Sequence, residues 1–105
     1  MQFSKTHLIK DGKLFGLNSE IHSDAGFPLV EVPASVFSSL VSVGLLKKAI
    51  KVMKYSDRWC ISFNLGDFEV KNRDFEKLIE SGLSGVRVDK DMTLVYFNIN
   101  GGSQS

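Results

Sequence analysis

One cysteine, two prolines, two histidines and one tryptophan in 105 residues exclude several classes of protein. A single cysteine forms no internal disulfide, so the fold rests on its apolar core and an oxidising compartment is neither required nor suggested. Two histidines and one cysteine without paired spacing give no set of structural zinc ligands, and no cofactor is implied. No apolar run reaches the roughly 18 residues that a membrane-spanning helix needs. The first ten residues, MQFSKTHLIK, lack the apolar stretch of a secretory signal. The expectation is a cytoplasmic protein with no membrane partner. There is no strong excess of one charge: 13 Lys and Arg stand against 12 Asp and Glu, so no overall field draws the chain to nucleic acid or a bilayer. The balance is uneven along the chain, with a net +3 over residues 1–65 and −2 over residues 66–105. The glycines are scattered at turns and form no phosphate-cradling loop.

The chain is organised around a stretch that occurs twice. VEVPASVFSSLVSVGL, residues 30–45, aligns with FEVKNRDFEKLIESGL, residues 68–83. Glu31 meets Glu69, Val32 meets Val70, Phe37 meets Phe75, Leu40 meets Leu78, Val41 meets Ile79, Gly44 meets Gly82 and Leu45 meets Leu83. Each copy runs into a hairpin, closing with Phe63-Asn64-Leu65 and Phe97-Asn98-Ile99. The length suits a single domain over residues 1–100, with GGSQS at 101–105 as a flexible tail.

Along the chain, Thr6 to Asn18 reads as a hairpin turning at Asp11-Gly12, which pairs Ile9 with Leu14 and Leu8 with Phe15. Ser19 to Phe27 reads as a loop, pinned to the core by Ile21 and Phe27. Leu29–Val32 is a short strand. A helix follows over Ala34–Val43, with Pro33 suited to its first turn, Gly44 as a left-handed stop, and Phe37, Leu40 and Val41 facing inward. Residues 45–55 fit one helix face or a strand. The strand from Ala49 is preferred, because a turn at Ser56-Asp57 pairs Val52 with Ile61 and Ile50 with Phe63. Trp59 and Leu65 then share the core face, and Met53, Lys51, Cys60, Ser62 and Asn64 the other. Asp67–Val70 repeats the short strand. Asn72 is the expected N-cap of a second helix over Arg73–Ser81, with Asp74 in its first turn. Phe75, Leu78 and Ile79 face inward there, while Arg73, Glu76, Lys77 and Glu80 face water. The last hairpin turns at Lys90-Asp91 and sets Val86, Val88, Val95, Phe97 and Ile99 on one face. The fold class is therefore α+β: an N-terminal hairpin and two tandem β-α-β-β repeats, about 29–65 and 67–99. An antiparallel sheet carries two helices on one side, with pseudo-twofold symmetry.

Phe68-Glu69-Val70, then Phe75-Glu76-Lys77-Leu78-Ile79, Val86-Arg87-Val88 and Leu94-Val95-Tyr96-Phe97, resemble the second half of one domain of a sliding clamp, the ring-shaped processivity factor of DNA polymerases. The resemblance covers residues 29–99 and implies helices facing DNA with the sheet outside. Clamp helices present basic residues to phosphates. Here the first helix offers serines, and the second sets Arg73 and Lys77 against Asp74, Glu76 and Glu80. Gly66-Asp67 after a strand also resembles the turn of duplicated small β-barrels.

Two surfaces stand out as candidate sites. Ser35, Ser38, Ser39 and Ser42 give the first helix an uncharged outer face, which suits either a partner protein or burial under the loop or N-terminal hairpin of the same chain. Lys47, Lys48, Lys51, Lys54 and Arg58 form a basic run beside Tyr55 and Trp59, which suits an exposed strand or a nucleic-acid patch. Catalysis is not expected. His22-Ser23-Asp24 lies in one loop without the geometry of a nucleophile and its base, and Cys60 reads as a packing residue. The expectation is a small non-enzymatic protein-binding module, an adaptor or inhibitor of the kind phages and mobile elements encode, whose partner is another protein or a second copy of itself. The alternative is a clamp-like or other nucleic-acid-binding domain.

Overall fold

A computed structural model describes residues 7–21 and 28–99. The expected turns at Asp11-Gly12, Ser56-Asp57 and Lys90-Asp91 connect three hairpins: β1 (His7–Lys10) with β2 (Lys13–Asn18), β4 (Lys51–Lys54) with β5 (Arg58–Asn64), and β6 (Leu83–Asp89) with β7 (Met92–Asn98). The registers are the expected ones, Ile9 opposite Leu14, Val52 opposite Ile61 and Val86 opposite Val95. All join one mostly antiparallel sheet in the order β1-β2-β4-β5-β7-β6, with β3 (Leu29–Glu31) on β2. The single parallel pairing among the described residues joins β2 to β4, with Leu17 beside Met53. Phe15 and Gly16 pair with both β1 and β3, and Leu17 with both β3 and β4. β3 therefore runs along one edge of β2 while β1 and β4 share the other.

Two helices, α1 (Ala34–Ser42) and α2 (Asn72–Glu80), lie on one face of this sheet, α1 by β2 and α2 by β6. The core between the layers holds Leu14, Val52, Trp59, Ile61, Phe63, Val95 and Phe97 from the sheet and Val36, Leu40 and Leu78 from the helices, all essentially without solvent exposure. Each such side chain contributes about 1.5–3 kcal/mol by leaving water. α1 ends in a Schellman arrangement. The Leu45 N–H donates to the Leu40 carbonyl (2.9 Å), the Gly44 N–H donates to the Val41 carbonyl (3.1 Å), and Gly44 takes φ 79°. A 3₁₀ turn, Leu46–Lys48, then leads to β4. The strand preferred for this stretch is present, starting at Lys51 rather than Ala49.

Several local expectations are corrected. Asp67–Val70 forms no strand: the chain turns at Gly66 and lays Phe68 against Phe63, ring centroids 5.5 Å apart, so it sits beside the core with no strand neighbour to bond. Asn72 is not the N-cap. Lys71 is, because its carbonyl accepts from the Asp74 and Phe75 N–H groups, and Asn72 is already helical. Pro33 likewise caps α1 from one position before its first turn. Val41 and Ile79 do not face inward: both are 52% exposed, and Val36 takes the inward place in α1. Each helix meets the sheet and the other helix, which rotates its buried arc away from these two residues. Leu65, Val86 and Val88, expected on the core face, lie beyond the reach of α2 and stay exposed, as does Ile21. Phe27 and the 101–105 tail lie outside the described residues.

At Gly16 the core packs directly against the β2 backbone. A Cβ there would stand 2.5 Å from Val52 Cγ1, 2.8 Å from Trp59 Cζ3 and 2.8 Å from the Val52 carbonyl. Gly16→Ala is expected to lower stability by about 1–3 kcal/mol through overpacking. Urea unfolding would show it as a lower midpoint at unchanged slope, and an unchanged midpoint would refute this account of the β2 contact.

Candidate interaction surfaces

The serines of α1 do come together, but they face α2. The Ser39 hydroxyl is buried and hydrogen-bonds with that of Ser81, and it donates to the Lys77 carbonyl at 3.3 Å. The Ser81 hydroxyl donates to the Ser35 carbonyl (3.1 Å), and Lys77 Nζ donates to the Ser42 hydroxyl (3.2 Å). Since residue 35 meets 81 and 42 meets 77, the helices run antiparallel. Small side chains let the backbones approach, and the buried hydroxyls find partners in each other and in the carbonyls of Ser35 and Lys77. Ser35, Ser38 and Ser42 remain exposed and line a hollow of about 360 Å³ with Ser39, Ser81, Lys77 and Glu80. The alternative to a partner protein is cover from the same chain, by the loop or the N-terminal hairpin. Among the described residues it comes from α2, and it reaches Ser39 alone of the four.

The basic run does not form one patch. Lys47 and Lys48 sit in the 3₁₀ turn, with Lys47 near Val41 and Gly44 at the end of α1. Strand alternation sends Lys51 to the sheet face away from the helices and Lys54 to the other, where Lys54 Nζ lies 3.6 Å from Glu20. Arg58 makes a two-pronged bond to Asp57 (3.0 and 3.2 Å), and its guanidinium stands 5.5 Å from the Tyr96 ring centre. The hydrogen bonds from Arg58 hold the Asp57 carboxyl below the usual range. Trp59, read beside this run, is buried in the core.

The sheet face opposite the helices is where unassigned chemistry gathers. Its middle is a hollow of about 210 Å³ lined by Lys51, Met53, Tyr55, Cys60, Ser62, Met92, Leu94 and Tyr96. A second hollow, about 330 Å³, opens beside it between Tyr55, Asp57, Arg58 and Tyr96. Phe15 and Leu17 extend the same face across β2, both half-buried, and Leu29 extends it across β3. The exposed side of a one-sided antiparallel sheet is ordinarily polar; the middle of this one is apolar, with Lys13, Glu31, Arg87 and Asp89 around it on the same face. Sequence alternation placed Lys51, Met53, Cys60, Ser62 and Asn64 here. It missed Tyr55, Met92, Leu94 and Tyr96, which reach the site only through the pairing of β5 with β7, Cys60 opposite Tyr96 and Ser62 opposite Leu94.

No set of side chains among the described residues is arranged to hold a metal ion. No helix among them is long and apolar enough to cross a membrane. His22-Ser23-Asp24 lies outside the described residues.

Burial pushes the Cys60 thiol up, against hydrogen bonds with Ser62 and Tyr96 that pull it down. Burial also raises Tyr55, helped by the neighbouring Cys60 and Tyr96. Both groups hold their proton longer folded than unfolded. Their stabilisation is therefore complete below the unfolded values and lost as pH rises through the folded ones. Urea midpoints measured from pH 7 to 10 should fall once the ordinary thiol range is passed, and Cys60→Ala should flatten the first part of that fall. An equally steep decline in Cys60→Ala would show that the thiol contributes nothing.

No known protein family, curated protein or solved structure matches the chain.

Proposed function

We propose that the chain is a non-enzymatic protein-binding module that docks a partner protein on the open face of its sheet. The observation that carries this reading is the apolar middle of that face, Phe15, Leu17, Met53, Leu94 and Tyr96, around a hollow that no described element covers. Aromatic, methionine and arginine side chains are enriched in the centres of protein interfaces, and Tyr55, Tyr96, Met53, Met92 and Arg58 supply all three kinds. The exposed serines beside Lys77 and Glu80 offer a polar second contact.

Nucleic acid on the same face is the second reading. Tyr55 and Tyr96 could stack bases and Lys51 meet a phosphate. Arg58 is already neutralised by Asp57, and one cation lines the central hollow, which supports this reading less. Clamp-like contact through the helices is supported less again, because α2 presents Arg73, Glu76 and Glu80 together.

The duplication is a proposal of the same standing. Supporting it, Gly44 and Gly82 both take positive φ, Leu40 and Leu78 are both buried, and Val41 and Ile79 are equally exposed. Ile61 and Val95, which correspond when the closing hairpins are aligned, oppose each other in the β5–β7 ladder.

The test begins with a partner recovered from cells of the source, identified, and titrated in purified form. Leu94→Glu should weaken it by about tenfold or more, the scale of a central interface residue, while Lys47→Glu leaves it unchanged. Equal binding by Leu94→Glu would remove the face from consideration. Salt-sensitive binding of a labelled thymidine oligonucleotide, abolished in Tyr96→Ala, would favour the second reading over the first.

A further inference from the structure

β6 is paired on one side only, with β7, among the described residues. The state of its free edge follows from the hydrogen bonds next door. The Leu65 N–H donates to the Asp91 carbonyl and the Ile99 N–H to the Asp57 carbonyl, so the odd residues of β7 turn their backbone groups toward β5. Met92 and Leu94 therefore turn theirs toward β6, where they oppose Asp89 and Arg87. Val86 and Val88 are left with N–H and C=O groups pointing out of the sheet. Their side chains are 42% and 62% exposed. Ile79 adds to this apolar margin. Lys77 and Ser81 face α1, and Ile79 lies about 200° round α2 from Lys77, on the side away from α1.

Natural edges are ordinarily kept apart by charged side chains, proline, bulges, shortness or a covering segment. β6 is seven residues long without proline, its one irregularity lies at its start between Leu83 and Gly85, and its two charged side chains, Arg87 and Asp89, have opposite signs two positions apart on one face. A strand charged in this way complements a copy of itself. We propose that β6 pairs antiparallel with β6 of a second copy of this chain, about a twofold axis at Val88, which continues the sheet from one molecule into the next. That register bonds the outward backbone groups of the two Val88 residues to each other, overlaps residues 87–89 of the two strands and sets Val86 beside Lys90 of the other chain's turn. It also sets Arg87 of each chain opposite Asp89 of the other, and opposite-charge cross-strand pairs are favourable. An axis at Arg87 would oppose the two Arg87 side chains. An axis at Val86 would leave Arg87 opposite Gly85. The Val88 register is thus the one that matches both charges, and it brings Val88 and Ile79 of both molecules to the same side of the joined sheet.

Light scattering over a concentration series tests this with the full chain. The wild-type mass should double as concentration rises. Arg87→Asp or Asp89→Arg alone should raise the dissociation constant about tenfold or more, since each converts two attractive cross-strand pairs into repulsive ones. An equimolar mixture of the two variants should regain wild-type association, because one strand then carries two acids and the other two arginines. Both side chains are exposed, so far-ultraviolet circular dichroism should show both variants folded. A wild type that stays monomeric at every concentration overturns the proposal. So does a dimer indifferent to either variant, or a mixture that fails to reassociate. Self-association lost in Leu94→Glu but kept in Arg87→Asp would assign it to the open face and overturn the β6 contact.

Discussion

The pairing of β5 with β7 is the interaction on which the rest of the structure depends. β5 carries five consecutive buried residues, Trp59 to Phe63, so both of its faces are shielded. Its seven-residue ladder with β7 joins the hairpin that follows α1 to the hairpin that follows α2. Each hairpin alone would be marginal in water. Joined, they present Trp59, Ile61, Phe63, Val95 and Phe97 as one apolar surface wide enough for two helices. The helices can then sit side by side only if their facing surfaces are narrow, which is the physical role of the serines in the seam.

That arrangement leaves the sheet asymmetric. One face is covered by the helices; the other gathers Met53, Cys60, Leu94 and Tyr96 around a hollow. With only two helices to contribute, the described chain has no third layer to cover it. The same limit applies at the β6 edge, where α2 buries its Leu78 and part of its Phe75 but leaves its Ile79 and the strand's Val86 and Val88 exposed. The apolar surfaces of this protein that remain in contact with water are thus consequences of how far two nine-residue helices reach.

What sequence alone determined is local. Turn residues set three hairpins and their registers, because an Asp-Gly or equivalent turn with apolar residues at alternate positions allows one pairing that buries a continuous face. Gly44 and Gly82 marked the helix ends, because the backbone there turns to positive φ. Tertiary structure decided the rest. Val41 and Ile79 look inward by helical period, yet the buried arc of each helix is shared between sheet and neighbour, and that division is not written in either helix. The four serines read as an outer face because nothing local marks α2 as their partner. The basic run separated because period-two alternation and the 3₁₀ turn send Lys47, Lys51 and Lys54 in different directions. The open face brings residue 96 beside the locally paired residues 53 and 60, and only long-range strand pairing, which has no signature in any one segment, places it there.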